Sequence, residues 1–172
     1  IEGYGKLMLG KLEVEVGKDS MWWGPGYHGS MLMSSNAEPF KMIKLSNPSP
    51  VLLPWIFQAL GPFKLVWFLT QLEEDRPVPR PNLTGMRINF KPHPAVELGL
   101  SRAILFGGEG RPKYGFGDYL KAFFGRNESL SGDKENNQLG GFDASVLLPI
   151  DWLLPVKSVK LYTDWVGEDQ AE

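Results

Sequence analysis

The sequence predicts an all-β protein, built as an antiparallel meander of roughly six to eight strands. Apolar and polar residues alternate in several stretches, which is the period of a β-strand. Gly and Pro account for 20 and 14 of the 172 residues, a density of helix breakers that excludes long helices. Turn sequences separate the alternating stretches, so consecutive strands are expected to pair.

Clear alternation defines four strands, each with one apolar and one polar face. They are Lys11–Lys18, Thr84–Lys91, Ala95–Arg102 and Ser158–Val166. Lys6–Lys18 as a whole has a strand-like composition. Weaker alternation predicts strands at Phe63–Glu74 and Asn137–Leu148, and Ser30–Asn36 is a short candidate strand.

The connections differ in length. Lys91–Pro94 predicts a tight hairpin, and Asp75–Asn82 predicts an extended loop stiffened by three prolines. Asp118–Phe124 predicts one or two helical turns, and Gly125–Gln138 predicts a long polar loop. Short turns at one rim and long loops at the other are typical of outer-membrane β-barrels, although the same alternation fits a soluble sandwich or barrel.

Composition excludes several classes of function. The net charge of −2 argues against a nucleic-acid-binding protein, and the absence of Cys excludes disulfides, thiolate metal sites and Cys nucleophiles. Two histidines, His28 and His93, do not make a His-rich metal site. The uncharged runs Ser20–Ala37 and Leu45–Phe63 are interrupted by Gly and Pro, which excludes membrane-spanning helices there. No pattern indicates a catalytic residue or a cofactor site.

The segment Met21–Pro39 reads MWWGPGYHGSMLMSSNAEP. It resembles the signature stretch of the Wzi family of outer-membrane capsule-assembly proteins, which has a Trp-Trp-Gly-Pro-Gly core, a Ser-Leu-x-Leu-Ser-like strand and then Asn-Ala-x-Pro. Further matches follow in the same order and extend the resemblance over residues 10–169. They are Gly85–Arg87, Gly99–Arg102, Phe106–Gly110, Gly141–Asp143, Tyr162 and Gly167–Asp169. The sequence departs from the pattern at Met31, Met33 and Ser35.

The resemblance implies part of a large barrel in the bacterial outer membrane. Family members carry an N-terminal helical plug and further strands that are absent here, so residues 1–172 are expected to be one segment of a transmembrane barrel domain. Both ends of the chain also have a strand-like character that indicates an internal piece. The implied function is non-enzymatic, lectin-like retention of capsular polysaccharide or exopolysaccharide. Outer-membrane lipid and other envelope proteins are the further expected partners.

The candidate glycan-binding residues come from the Trp motif, from the charged strands and from the matched stretches. They are Trp22, Trp23, Tyr27, His28, Asn36, Arg87, Arg102 and Glu109. Aromatic rings can stack on sugar rings, but a Trp pair also suits the aromatic girdle or the rim of a barrel. The hairpin is expected to place Arg87, Lys91, Glu97 and Arg102 on one face, either as glycan or plug contacts or as paired charges of a solvated wall.

Two other functions also fit the sequence. The charged inner face fits a channel, or a scaffold barrel within a larger envelope complex. A soluble all-β binding module fits the alternation equally well.

Overall fold

The computed structural model describes residues 2–36, 38–115, 117–118, 121, 136–152 and 156–168. Nine strands and one short 3₁₀ helix, Trp55–Leu60, form in this part of the chain, and positions 117–118 and 121 are also helical. The strands are β1 (Gly3–Leu9), β2 (Leu12–Asp19), β3 (Phe40–Ser46), β4 (Val51–Leu52), β5 (Pro62–Gln71), β6 (Asn82–His93), β7 (Val96–Phe106), β8 (Asn136–Pro149) and β9 (Ser158–Glu168). No helix among the described residues is long and apolar enough to cross a membrane.

All strands belong to one antiparallel sheet in the order β1-β2-β3-β5-β6-β7-β8-β9, with the two-residue β4 attached to β5. This order confirms the predicted meander. The predicted hairpin at Lys91–Pro94 is also present, because β6 runs to His93 and pairs with β7 from Val96 onward. The register shifts between Phe90 and His93, where Pro92 interrupts the ladder.

Several local predictions were wrong. Ser30–Asn36 is not a strand and has only an isolated bridge from Met33 to Trp23. Lys6–Lys18 is two strands joined by a turn at Gly10 and Lys11, because Gly10 has the positive φ of 64° that such a turn requires. The predicted polar loop Gly125–Gln138 ends earlier, since β8 begins at Asn136.

Other predictions fall partly or wholly outside the described residues. Within the predicted turns Asp118–Phe124, Asp118 and Lys121 are helical and the remaining positions lie outside the described residues. Residues 125–135 of the predicted polar loop also lie outside them. No pattern in the sequence predicted β3, β4 or the 3₁₀ helix.

The sheet has one apolar face. Residues paired directly across antiparallel strands share a face, so the register assigns every strand side chain to one side. Leu7 pairs with Val14, Val16 with Ile43 and Leu100 with Phe142. These side chains form a continuous apolar band, and many are exposed: Leu7, Val16, Ile43, Leu100, Phe142, Leu161 and Trp165. We call this side the outer face.

The opposite side, the inner face, is concave and carries charged side chains beside an apolar cluster around Phe68. One cavity on it is lined from Lys6 on β1 to Lys160 on β9, so the sheet curves around this face. Every carboxylate within the strands lies on it: Glu13, Glu15, Asp19, Glu97, Asp143, Asp164 and Glu168. A soluble sheet would bury its apolar face, whereas here the exposed face is apolar and the sheltered face is charged. This inversion is the pattern of a membrane barrel wall.

Candidate functional site

The connection between β2 and β3 folds back onto the inner face. We call residues 20–36 of this connection the inward loop, and they include the Trp-Trp-Gly-Pro-Gly motif. The loop contacts β5 and β6 at one end and β9 at the other, so it crosses the concave side of the sheet. The backbone N–H of Trp23 donates to the carbonyl of Met33 at 2.9 Å and holds its two arms together.

Trp23 anchors the loop. Its side chain is 3% exposed and packs edge-to-face on Phe68, with 5.5 Å between ring centroids. A Cβ at Gly85 would lie 2.8 Å from Trp23 Cη2 and 2.6 Å from Phe68 Cε1, so only glycine leaves room for this packing. Met21 and Met42 are buried in the same apolar cluster, and Phe40 packs against it. No ring face of Trp23 is left open to a sugar in this structure.

Asp164 on β9 binds the inward loop at the end away from β5 and β6. The backbone N–H of Met31 donates to Asp164 Oδ2 at 3.1 Å, and the hydroxyl of Ser30 donates to the carbonyl of Trp23. Gly24 has a φ of 149°, and a Cβ there would lie 2.9 Å from the Ser30 hydroxyl oxygen and 3.0 Å from Asp164. The glycine of the motif therefore permits close approach of the loop to β9.

The other candidates of the loop are exposed. Trp22 is 38% exposed and lines the inner-face cavity, whereas its neighbour Trp23, which also borders this cavity, is 3% exposed. Tyr27 is 85% exposed and stands edge-on to His28, with ring centroids 5.2 Å apart. Asn36 is exposed in a turn before β3. These four side chains can reach a ligand without any rearrangement of the packed cluster.

Two cavities lie against the inward loop. One, of about 360 Å³, is mainly apolar and lies toward the rim of the long connections, where Met31 and Met33 face Leu105 and Leu139. The other, of about 530 Å³, is polar and contains Trp22. Its charged lining consists of Lys6, Lys44, Lys64, Arg87, Lys160, Glu13, Glu97 and Asp143. Both volumes are within the usual range of ligand sites.

Arg87 belongs to a buried network across three strands. Its guanidinium makes two hydrogen bonds to Asp143 on β8, at 2.6 and 3.0 Å, and further bonds to Ser101 and Asn89. A Cβ at Gly99, between them on β7, would collide with both ionic side chains. Arg87 is 6% exposed and Asp143 is 3% exposed, so the two buried charges neutralise each other. The paired-charge interpretation of the strand charges is the one that fits Arg87.

The expectation that Arg102 shares a face with Arg87 was wrong. Arg102 pairs across the sheet with Met86 and Gly140, and Arg87 pairs with Ser101, so the two arginines point to opposite sides. Arg102 hydrogen-bonds to Gln138 on the outer face. Glu97 is on the inner face with Arg87, where it accepts a hydrogen bond from Asn89 at 3.1 Å.

Glu109 lies at the rim of the long connections. Its carboxylate is 3.1 Å from Arg80, and its backbone N–H donates to the carbonyl of Pro79 at 2.8 Å. Gly108, with a φ of 112°, fits against Val78 where a Cβ would collide. The proline-rich loop and the glycine-rich loop are thus held together beside the barrel wall, and Glu109 is half exposed above them.

A second ion network was not found from the sequence. Lys44 on β3 lies 2.8 Å from Glu15 and 2.7 Å from Asp19, and Lys6 on β1 lies 3.0 Å from Glu15. Glu15 is 1% exposed. Lys44 belongs to β3, which has no clear alternation in the sequence, so its partners were not predictable. Among the described residues no group of His, Cys, Asp and Glu is arranged to hold a metal ion.

Comparison with known proteins identifies the family of the chain. The family model of capsule assembly protein Wzi matches residues 1–172. The chain belongs to this family. A relative in Klebsiella pneumoniae, an uncharacterized 55.8 kDa protein in the cps region, is 31% identical over 98% of the chain.

A solved structure has the same fold. Wzi of Escherichia coli, described as an outer-membrane protein involved in group 1 capsule assembly and a carbohydrate-binding β-barrel, matches with a TM-score of 0.76 and 27% identity over 98% of the chain. The chain spans only 33% and 34% of the lengths of these two relatives. The matches confirm the predicted family, the all-β fold as part of a barrel, and the outer-membrane class.

Proposed function

We propose that the protein containing this chain is a non-enzymatic outer-membrane barrel that holds capsular or other surface polysaccharide at the bacterial cell. Family membership supports this proposal, as does the carbohydrate binding described for the Escherichia coli relative. Residues 1–172 are then a single segment of the transmembrane barrel domain.

The observation that carries the proposal is the inward loop on the polar inner face. It presents Trp22, Tyr27 and His28 at exposed positions, while Trp23 fixes the backbone that carries them. Exposed aromatic rings on a preorganised loop suit the C–H faces of sugars, because little conformational entropy is lost on binding. We assign glycan contact to Trp22, Tyr27, His28, Asn36 and Glu109.

The remaining three candidates have supporting roles in this proposal. Trp23 is buried under the loop, Arg87 is bound to Asp143, and Arg102 is on the outer face with Gln138. The inner-face carboxylates Glu15 and Asp143 are in ion pairs rather than free for proton transfer, which favours binding over hydrolysis.

Capsule retention tests the proposal on cells that produce the full-length protein. We expect the double variant Trp22→Ala/Tyr27→Ala to shed polysaccharide into the medium, with affinity reduced about fivefold for each ring. Trp55→Ala is the matched control, because Trp55 is as exposed as Tyr27 but lies in the 3₁₀ helix at the other rim. Unchanged retention at equal barrel levels would remove the loop aromatics from the binding role.

A channel is the second candidate, favoured by the polar cavity of about 530 Å³ on the inner face. Conductance of the full-length protein in a planar bilayer separates the two functions. Steady conductance together with normal retention in the double variant would favour transport over polysaccharide binding.

A further inference from the structure

The polar residues of the outer face are distributed unevenly. From the short-turn rim to the middle of the sheet, the outward side chains are apolar, as at Leu98, Leu100 and Phe142. Toward the rim of the long connections, apolar residues such as Leu69 and Ile104 are interspersed with cations and amides. The cations and amides are Lys18, Lys41, Gln71, Asn82, Arg102 and Gln138. Within the described strands this face has no carboxylate, since all of those lie on the inner face.

Two of these cations face each other directly. Lys18 on β2 is the cross-strand partner of Lys41 on β3. Like charges at directly opposed positions destabilise a sheet, because their Cβ atoms are only about 5 Å apart. An anion bound between the two lysines would offset this repulsion.

Among the described residues, one carboxylate forms an ion pair with these lysines. Lys18 lies 2.9 Å from Glu38, whose side chain is 80% exposed, and this hydrogen bond holds the pKa of Glu38 below its usual value. Exposed pairs of this kind contribute little. Among the residues that the structure describes, Lys41 has no carboxylate within ion-pair distance. Within the described part of the chain, the Lys41 ammonium group therefore has no carboxylate partner.

A groove joins this pair to the apolar band. It has a volume of about 640 Å³ and contains Lys18 and Lys41 together with Val16, Ile43 and Leu69. The amides of Gln71 and Asn82 border the same groove. It thus offers an apolar surface for acyl chains, two ammonium groups for an anion, and amides for hydroxyl groups.

We propose that this groove binds the phosphate of an anionic glycolipid in the outer leaflet, with the phosphate between Lys18 and Lys41 and the acyl chains along Val16, Ile43 and Leu69. Basic pockets at the level of the headgroups bind anionic lipids in this way. The long connections mark the extracellular rim, and the lysines lie at that end of the strands. The site rests on the membrane placement in the proposed function and is independent of glycan retention by the inward loop.

Binding and stability of the full-length protein test the site. The probes are phosphatidylcholine nanodiscs with or without a bisphosphorylated glycolipid, and inorganic phosphate alone. We expect Lys41→Gln to weaken glycolipid binding about fivefold, and Lys18→Gln/Lys41→Gln to weaken it about 25-fold, from the contribution of each lysine near an anionic surface. Lys64→Gln is the control, because Lys64 is an exposed lysine on the inner face.

Thermal unfolding separates a ligand site from a merely structural lysine. In neutral detergent, Lys41→Gln should unfold at the same or a higher temperature than the wild type, because the repulsion is removed. In glycolipid nanodiscs the order of the two unfolding temperatures should reverse.

The site is refuted by equal glycolipid affinity of wild type and double variant, by an equal loss of affinity in Lys64→Gln, or by the absence of a reversal in unfolding temperature. Saturation by inorganic phosphate alone would identify a free-phosphate site and overturn the lipid assignment. Capsule retention is measured separately. A negative result for glycan retention would therefore leave the lipid-binding and unfolding measurements valid.

Discussion

At the scale of single residues, Trp22 and Trp23 are neighbours with different environments. Trp23 lies in the cluster with Phe68, and Trp22 faces the polar cavity. We expect Trp23→Ala to lower the free energy of unfolding by about 3–5 kcal/mol, as for other buried aromatic residues. Trp22→Ala, the matched control, should cost much less. Denaturant titration of the full-length barrel in detergent provides the measurement, and equal losses in the two variants would contradict the assignment.

The Arg87–Asp143 pair gives a second residue-level prediction. Asp143→Ala leaves a buried guanidinium without its partner, so we expect a loss of about 3–5 kcal/mol in the free energy of unfolding. Adding Arg87→Met should recover most of that loss, since no unpaired charge then remains buried. A double variant as unstable as the sum of the single variants would show that the two side chains act independently.

At the scale of elements, the inward loop depends on its bond to β9. Asp164→Ala removes the acceptor of the Met31 N–H, and hydrogen bonds to charged groups contribute about 1.5–3 kcal/mol. We therefore expect amide exchange at Met31 to accelerate at least about tenfold, measured by deuterium uptake of the full-length protein. Asp151→Ala, at an exposed turn, is the control. Unchanged exchange at Met31 would show that the bond to Asp164 does not hold the loop.

The strands were predictable where alternation was clean. Thr84–Lys91 and Ala95–Arg102 lie within β6 and β7 and have the predicted apolar and polar faces. Strand β3 was missed because Lys41 and Lys44 lie on opposite faces and hide its alternation. The same outward lysine that obscured the strand belongs to the proposed lipid site.

The site was less predictable than the strands. The Trp motif could be recognised, but the fold of its loop depends on Phe68 and Asp164, which are far away in the sequence. Local patterns do not specify such contacts. The misplacement of Arg102 had a simpler cause, since alternation already puts it on the face of Leu98 and Leu100.

At the scale of the whole molecule, the sheet is one part of a barrel wall. Its edge strands β1 and β9 each pair on one side only among the described residues. The relatives are about three times as long as this chain. The apolar outer face and the charged inner face therefore have to be tested in the full-length protein within a lipid bilayer.

The central claim is that the outer face contacts lipid and the inner face does not. Leu161 and Tyr162 test it most directly, because these adjacent residues of β9 are 56% and 50% exposed and point to opposite sides. In the full-length protein folded into lipid vesicles, Leu161→Arg should lower the free energy of unfolding by about 1–4 kcal/mol, a cost set by its depth in the bilayer, and Tyr162→Arg by much less. Equal effects of the two substitutions, or a larger loss for Tyr162→Arg, would contradict the assignment of the two faces.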